Sequence, residues 1–458
     1  LENSAPADTL PSFSTSIVDP FEGKEASLRS AKLHSYRVWL LVVVWLLRSL
    51  AIQAQQFDLL IKGGHVIDPK NRIDGMMDIA ISSGKIAAVA ADIPSSQAKK
   101  IVMASGLYVT PGLVDIHVHV FYGTLLDSEY GGGYSSLPPD GFTFRSGVTT
   151  VVDAGGSGWR NFLEFKDQVI DRVRTRVLAL LNIVGTGMRG GPIEQNLADM
   201  DPKLTAMRIR EYPEVLVGVK TAHYEGPEWD PVDRAVEAGR LANVPVMVDF
   251  GRFVPERPYQ DLVLKHLRPG DISTHMYLAR VPMLDKEGKV LPYLFEARQR
   301  GVIFDVGHGG GSFVFRQAVP AMKQGWIPDS ISTDLHVTSM NAGMKDMLNV
   351  MSKFLNLGMS LQEVIARSTW NPAREIKRQD LGNLTVGSPA DLAVLALRQG
   401  NFGFVDVDGG KFKGNQKLEC ELTLREGKVV WDLNGISQAD WQVTPAAEER
   451  QPNRPRRF

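Results

Sequence analysis

One cysteine, Cys420, stands among 458 residues. A lone thiol excludes an internal disulfide framework and any cysteine-rich metal cluster, so metal chemistry in this chain has to run on His, Asp and Lys. Charge of one sign is equally scarce. Lys+Arg of 51 against Asp+Glu of 52 leaves a formal net charge of -1, and so balanced a chain carries no electrostatic footprint for nucleic acid. A small, roughly neutral partner is the class that remains. Long apolar runs are missing too. The run at 38–47 is stopped by Arg48, well short of the roughly 20 residues that a membrane-spanning helix needs.

That run does have the marks of an export signal. Arg37 precedes it and the small-residue exit Ala51-Ile52-Gln53-Ala54 follows, the layout of a cleavable signal peptide. Residues 1–54 are therefore expected to be an N-terminal extension plus a signal near 34–54, cut near Ala54, with the mature protein periplasmic or secreted. A membrane tether is the other reading of the same residues. Residues upstream of about Leu33 are assigned no part in the fold. At the other end, 433–458 reads as a tail, and from about Gln442 its prolines and charges without apolar period predict disorder.

Eight short apolar runs occupy the middle: 114–118, 149–154, 176–183, 216–220, 245–250, 272–276, 302–307 and 330–335. Most are Val/Ile/Leu-rich without polar alternation, as strands buried on both faces of a parallel sheet are. The spacers are long enough for helices, and 159–173 and 231–242 carry apolar residues at helical spacing. The pattern predicts an α/β fold, a (β/α)8 TIM-like barrel over 112–372, with its chemistry at the C-terminal strand ends. Those ends carry His117, His119, Lys220, Asp249, His275 and Asp334, an inventory of metal ligands. The stretch 122–140, with Gly131-Gly132-Gly133 and Pro138-Pro139, predicts a long loop above that face.

β-rich arms flank the barrel. Residues 57–68 read as a strand, a Gly63-Gly64 turn and a second strand, and 78–81 with 85–89 read as a hairpin about Ser83-Gly84. The same character returns at 390–395, 421–424 and 428–431. The economical arrangement is one discontinuous β-sandwich domain, 55–111 with 373–432, whose arms pair their edges.

His117-Val118-His119 is the sharpest local signal. On a strand these imidazoles face one side and can converge on one ion, whereas on a helix they diverge. One core and one surface histidine would give the same pattern; the position at the first strand end favours the pair. At this point the chain resembles the amidohydrolase superfamily. The resemblance rests on VTPGLVDIHVH (109–119), GVTTVVDAG (147–155), VGVK (217–220), STH (273–275), DVGHGGGSF (305–313), STDLH (332–336), NPA (371–373) and VGSPADL (386–392), and spans essentially 56–432. More narrowly it is similar to the deacetylase branch often labelled dihydroorotase-like, with HGGGSF and STDLH as the more specific marks.

The resemblance implies a hydrolase of carbon–nitrogen (non-peptide) or ester bonds that uses two divalent metal ions, zinc by expectation, with Mn or another divalent ion as the alternative. His117 and His119 would bind the more buried ion with Asp334, while a CO2-derived carbamate on Lys220 bridges to an outer ion near His275. An unmodified lysine is a cation that repels divalent metals; its carbamate is an anionic oxygen donor. The departure comes at strand five, where relatives usually place a His and this chain has Asp249. With Asp249 as outer ligand the protein donors carry three formal negative charges instead of two, which shifts preference toward harder ions such as Mn or Mg. A one-metal site with Asp249 off the ion, or with His223 supplying the imidazole, is the competing arrangement.

Asp334 is the expected general base and then acid. Arg189, Tyr277, His308, Gly309 and Gly310 lie just beyond strand ends and are expected near substrate, although packing or turn roles explain them about as well. Dihydroorotases usually place an Arg shortly after the His-x-His, where this chain has Val120-Phe121-Tyr122-Gly123. The expected reaction is thus hydrolysis of an acyl amide or ester, on an N-acyl amino acid or acylated hydroxy acid. Cyclic-amide hydrolysis is the enzymatic alternative, and a metal-poor binding protein the non-enzymatic one. The expected partner is a small-molecule substrate, with no nucleic acid, no stable membrane insertion after signal cleavage, and assembly as a homo-oligomer.

Overall fold

The computed structural model describes residues 56–444. The expected signal peptide and nearly all of the expected disordered tail lie outside them. Among the described residues no helix is long and apolar enough to cross a membrane.

The N-terminal arm supplies β1 (Leu59–Asp68), β2 (Ile73–Ser82), β3 (Lys85–Ala90), β4 (Ile101–Met103) and β5 (Tyr108–Pro111). The barrel strands follow: β6 (Leu113–Val118), β7 (Val148–Gly158), β8 (Arg176–Asn182), β9 (Leu216–Thr221), β10 (Val246–Val248), β11 (Ile272–Ser273) and β12 (Ile303–Phe304). The C-terminal arm returns as β13 (Leu392–Val405), β14 (Lys411–Arg425) and β15 (Lys428–Asp432). Both arms share one eight-stranded mixed sheet, ordered β15-β14-β13-β5-β1-β2-β3 with β4 against β1. Antiparallel pairing of β5 with β13, Leu392 opposite Pro111, joins them.

Two glycine pairs behave differently. Ser83 and Gly84, at φ 50 and 76, make the tight turn between Ser82 and Lys85, the primed geometry that suits strand twist. Gly63-Gly64 is no turn. It is a bulge inside the continuous strand β1, where the register against β2 shifts between Ile61 and Gly64. Gly63 takes φ 69, and a Cβ on Gly64 would stand 2.4 Å from Val109 Cγ2, so the extra residue is accommodated only by glycine.

The barrel strands are parallel and run in the order β12-β11-β10-β9-β8-β7-β6. Alternation divides their apolar runs between two clusters. Val114, Ile116, Val152, Leu178, Leu180 and Met247 fill the interior with Ala373 and Ile376 from below. Val151, Val177, Ala179, Leu181 and Val246 pack outward in the large core beneath the helices. The eighth run, 330–335, corrects the expectation of a strand: it closes the ring through isolated parallel bridges, Asp305 to Ser330 and Val118 to Leu335. Asp334 sits at φ 54, a left-handed turn that no ladder tolerates. Helix 231–242 forms as Asp230–Ala242, stopped by Asn243 at φ 57. The expected helix at 159–173 is a short turn, Phe162–Phe165, followed by the wider π turn Lys166–Ile170.

Beneath the barrel, Glu375 ends the helix Trp370–Glu375 with its Oε2 buried and without a partner among the described residues. Burial, with the charge of Asp305 behind it, pushes this carboxyl up from 4.5 to about 8. A raised carboxyl stabilises the fold below the unfolded value, and that contribution is lost as pH climbs through the folded one. Glu375→Gln should therefore raise Tm at pH 8 by about 2 °C or more, with the gain vanishing near pH 4.5; thermal unfolding across that window reads it.

Candidate active site

Five of the six expected ligands are buried together at the barrel mouth: His117, His119, Lys220, His275 and Asp334. Asp249, partly exposed, faces them. One oxygen of Asp334, Oδ1, lies 3.0 Å from His119 Nε2 and 3.7 Å from His117 Nε2. Lys220 Nζ is 3.3 Å from His117 Nε2. On the far side Asp249 Oδ2 stands 3.3 Å from His275 Nε2 and 3.2 Å from His223 Nε2.

The hydrogen bonds behind these rings decide which nitrogen faces forward. Asp305, wholly buried, accepts from Ser330 Oγ, Ser332 Oγ and Thr274 Oγ1 at 2.8, 2.6 and 2.8 Å. Thr274 has thereby committed its only proton, so it accepts from His117 Nδ1 at 2.9 Å. His117 Nε2 then presents a lone pair to the site. His275 Nδ1 donates to Gly307 O at 2.6 Å, which leaves its Nε2 to face Asp249. A lone pair facing a carboxylate oxygen repels it unless a proton or a metal ion lies between. That donor set, with His117 and His275 braced from behind, suits a divalent ion, and His117, His275 and Asp334 hold ligand atoms within 4.8 Å of one another; His119 Nδ1 is buried without a partner among the described residues.

The electrostatics separate the two rings: burial opposes charge on His275, but Asp249 raises its pKa. Burial and the nearby Lys220 charge push the His117 imidazole down to about 3, so it is neutral. Burial would raise the Asp334 carboxyl, yet His336, His117 and His119 hold it below the usual carboxylate range. Burial pushes the Lys220 amine down, and among the described residues no carboxylate lies within 4 Å of its nitrogen. His275 and Asp334 adopt φ 58 and 54, left-handed geometry of the kind that concentrates at working sites.

A residue the sequence reading missed stands behind Asp249. Glu194, in the turn Gly191–Gln195, is buried and meets His223 Nδ1 at 2.9 Å. Glu194, His223 and Asp249 form one carboxylate–imidazole–carboxylate chain. Burial opposes charge on His223, but hydrogen bonds to both acids raise it well above its ordinary value. No motif marks Glu194; only the barrel brings it to His223. Asp305, Thr274 and Ser332 were visible inside quoted motifs, but nothing in spacing assigned them a role.

Comparison with known proteins adds the family. A family profile described as Amidohydrolase family matches residues 314–430. A deacetylase of Agrobacterium fabrum is 34% identical over 341 residues, covering 72% of this chain and 81% of its own. A deacetylase of Enterococcus faecalis is 32% identical over 382 residues, covering 81% of this chain and 99% of its own. The chain belongs to the amidohydrolase family. Crystal structures of an adenine deaminase and of a dihydroorotase, each 30% identical, superpose with TM-scores of 0.74 and 0.70; each covers 82% of this chain, with 100% and 99% of their own lengths. Like its relatives, this amidohydrolase is a hydrolase acting on carbon–nitrogen bonds, and its fold is the family's barrel.

The amidohydrolase places its expected substrate residues unevenly. Gly310 lines the inner cavity, of about 260 Å³, together with the histidines and Asp334. Tyr277 does not reach it: fully buried, its hydroxyl donates to Trp326 O at 2.9 Å and its ring packs among Phe313 and Phe354. Arg189 is spent on Asp127 at 2.5 Å, bracing the loop over the mouth. His308 is fully buried and faces Lys353 instead of the cavity. These three corrections share one cause. Each lies past a strand end, but the chain turns there, so position along the sequence does not say which way a side chain leaves.

Gly309 matters through its missing side chain. At φ 59, a Cβ on it would stand 2.5 Å from Asp334 Oδ2, whereas one on Gly310 would meet its nearest atom, Thr338 Cγ2, at 3.3 Å. Gly309→Ala should therefore lower turnover by about 100-fold, the usual cost of an ångström-scale misplacement, while Gly310→Ala loses much less. Steady-state kinetics on the two variants, with Tm to show both folded, provide the check.

Proposed function

We propose that this amidohydrolase hydrolyses the acyl amide or ester of a carboxylate-bearing small molecule, an N-acyl amino acid or acylated hydroxy acid, with two divalent ions held at the barrel mouth. The observation that carries the reading is the pair of braced imidazoles, His117 and His275, each turning its Nε2 toward a carboxylate at the floor of an open cavity. His117, His119 and Asp334 would hold the inner ion, Asp249 and His275 the outer one, and a carbamate on Lys220 both. Bound there, divalent ions supply Lewis acidity and water of lowered pKa. Asp334, with one oxygen beside two imidazoles, is placed to take a proton from the attacking water and return it to the leaving nitrogen or oxygen. The chain of Glu194 and His223 fixes the Asp249 carboxylate.

A wider cavity of about 1070 Å³ opens above, lined by Tyr130, His223, Asp249 and His275 as well as Arg252 and Arg280. These two guanidiniums, in the loops after β10 and β11, have no ion-pair partner among the described residues and suit a substrate carboxylate. Glu129 and Glu225 line the same cavity, so any preference for an anion is local to the guanidiniums. Val120 and Phe121, after the His-x-His, are fully buried, and no side chain there can grip a ureide carboxylate as an Arg would. The names of the deacetylase relatives support the acyl reading; a zinc, manganese or mixed complement fits the donors.

Metal-reconstituted protein should hydrolyse members of a panel of N-acyl amino acids and acyl hydroxy acids; turnover confined to cyclic ureides would overturn the proposal. Metal analysis on the same samples should find two ions per chain. Lys220→Ala should lose metal and activity, with bicarbonate speeding reconstitution of the unmutated protein only. Asp249→Asn should fall toward one ion, with kcat/KM down by about 100-fold or more, at least the loss seen when a supporting ligand contact is removed. An unchanged metal count in Asp249→Asn would take Asp249 off the ion.

A further inference from the structure

His308 opens the HGGGSF segment yet touches nothing in the cavity, and the group it does touch is unusual. Lys353, in the helix Met347–Asn356, is fully buried. Its ammonium donates three hydrogen bonds: to His308 Nε2 at 2.6 Å, Gly343 O at 2.7 Å and Val405 O at 2.7 Å. All three acceptors are uncharged, and no carboxylate lies within 4 Å of the nitrogen among the described residues. Burying a cation without a counter-ion is costly. Burial pushes this amine down to about 7, with Asp406 opposing. A Leu or Met would fill the same space without that cost, so the arrangement calls for a role that hydrogen bonds alone fulfil.

The three acceptors belong to three different parts of the chain. Because Lys353 donates to His308 Nε2, the ring proton sits on Nδ1, which donates to Gly309 O at 3.0 Å. The ring is also stacked on Phe313, with centroids 4.6 Å apart and planes 14° from parallel. Gly309 is the residue whose α-carbon lies against Asp334. Gly343 follows the helix Val337–Asn341, which begins just after Asp334. Val405 ends β13, and the hairpin tip beyond it grips the far end of the same segment: Val407 N donates to Phe313 O at 3.1 Å, and Asp406 accepts from Phe315 N at 3.0 Å. The glycine turn is thus held at His308 by Lys353 and at Phe313 by the β13–β14 hairpin.

We propose that Lys353 is a positioning residue for hydrolysis: by donating to His308, Gly343 and Val405 it locks the glycine turn 309–311 against Asp334 and recruits the β13–β14 hairpin of the accessory sheet as a support of the catalytic face. The inference rests on the hydrolytic reading of Asp334. It assigns His308 an inward role through its tautomer and makes the accessory sheet a part of the site's mechanics.

The test uses the metal-reconstituted full chain, p-nitrophenyl acetate as the probe ester, and the variants Lys353→Met, His308→Phe and the double substitution. His308→Phe keeps a ring to stack on Phe313 but removes the acceptor, and it carries the test if Lys353→Met does not fold. Each single variant should lower kcat by about 10- to 100-fold, as ångström-scale misplacement of a reacting group does, with KM within about 3-fold and both ions retained. The double variant should lose no more than the worse single one, since both changes break the same link. Additive losses, or full kcat in a folded Lys353→Met protein, would overturn the proposal. Hydrogen exchange keeps it separable from the function: protection at 309–313 and 405–408 should drop by at least about 10-fold in Lys353→Met, with β6–β9 unchanged. If no ester or amide is turned over, that loss still supports the lock and the hydrolytic reading alone fails; unchanged protection in both segments sinks the lock itself.

Discussion

Asp305 gathers three hydroxyl donors at the floor of the barrel mouth, and the rest of the site follows from how those protons are committed. Ser330 and Ser332 tie the eighth segment to the end of strand β12 through this carboxylate, beside the backbone bonds from Val306, His308 and Gly309 to Ser330, Ser332 and Thr333. Thr274 gives it a proton and so has only an acceptor left for His117. One buried charge thus helps to close the ring and sets the tautomer of His117. A carboxylate in so dry a place is tolerated because each oxygen accepts at least one strong hydrogen bond. Removing the Thr274 hydroxyl would free the His117 ring, and removing that of Ser330 or Ser332 would loosen the eighth segment.

Short strands are the second constraint. β10, β11 and β12 span only three, two and two residues, after which the chain turns, and His275 and Asp334 turn with left-handed backbones. Such geometry is costly for residues with side chains, and it persists where surrounding bonds over-determine it. Here they do: His275 is held by Gly307 O, and Asp334 N donates to His117 O at 2.7 Å. The strain brings donors from separate strand ends to within hydrogen-bond distance of one another.

The outer half of the site is built differently from the inner half. His117 is braced by a neutral hydroxyl, Thr274, whereas Asp249 is braced by an imidazole that itself leans on Glu194. Asp249 would add negative charge to a metal-binding donor set, and the His223 contact gives that charge a hydrogen-bonding partner. The same chain borders the wide cavity, so the element that compensates for Asp249 also faces incoming substrate.

Residue pattern alone determined the barrel, the two-armed accessory sheet, and the identity of the groups at its mouth. Uninterrupted apolar runs mean strands covered on both faces, and the place of the His-x-His at the first strand end favours convergent imidazoles over one core and one surface histidine. What it could not determine is direction and partnership. Gly63-Gly64 reads the same as a turn or as a bulge until β2 shows its register. Tyr277, Arg189 and His308 stand at strand ends like true ligands, yet point into the core, to Asp127 and to Lys353. Glu194 and Lys353, 29 residues before His223 and 45 after His308, carry no local signature at all. Periodicity is a property of neighbours along the chain and survives in the sequence; a hydrogen bond between distant side chains exists only once the barrel closes and brings donor and acceptor together.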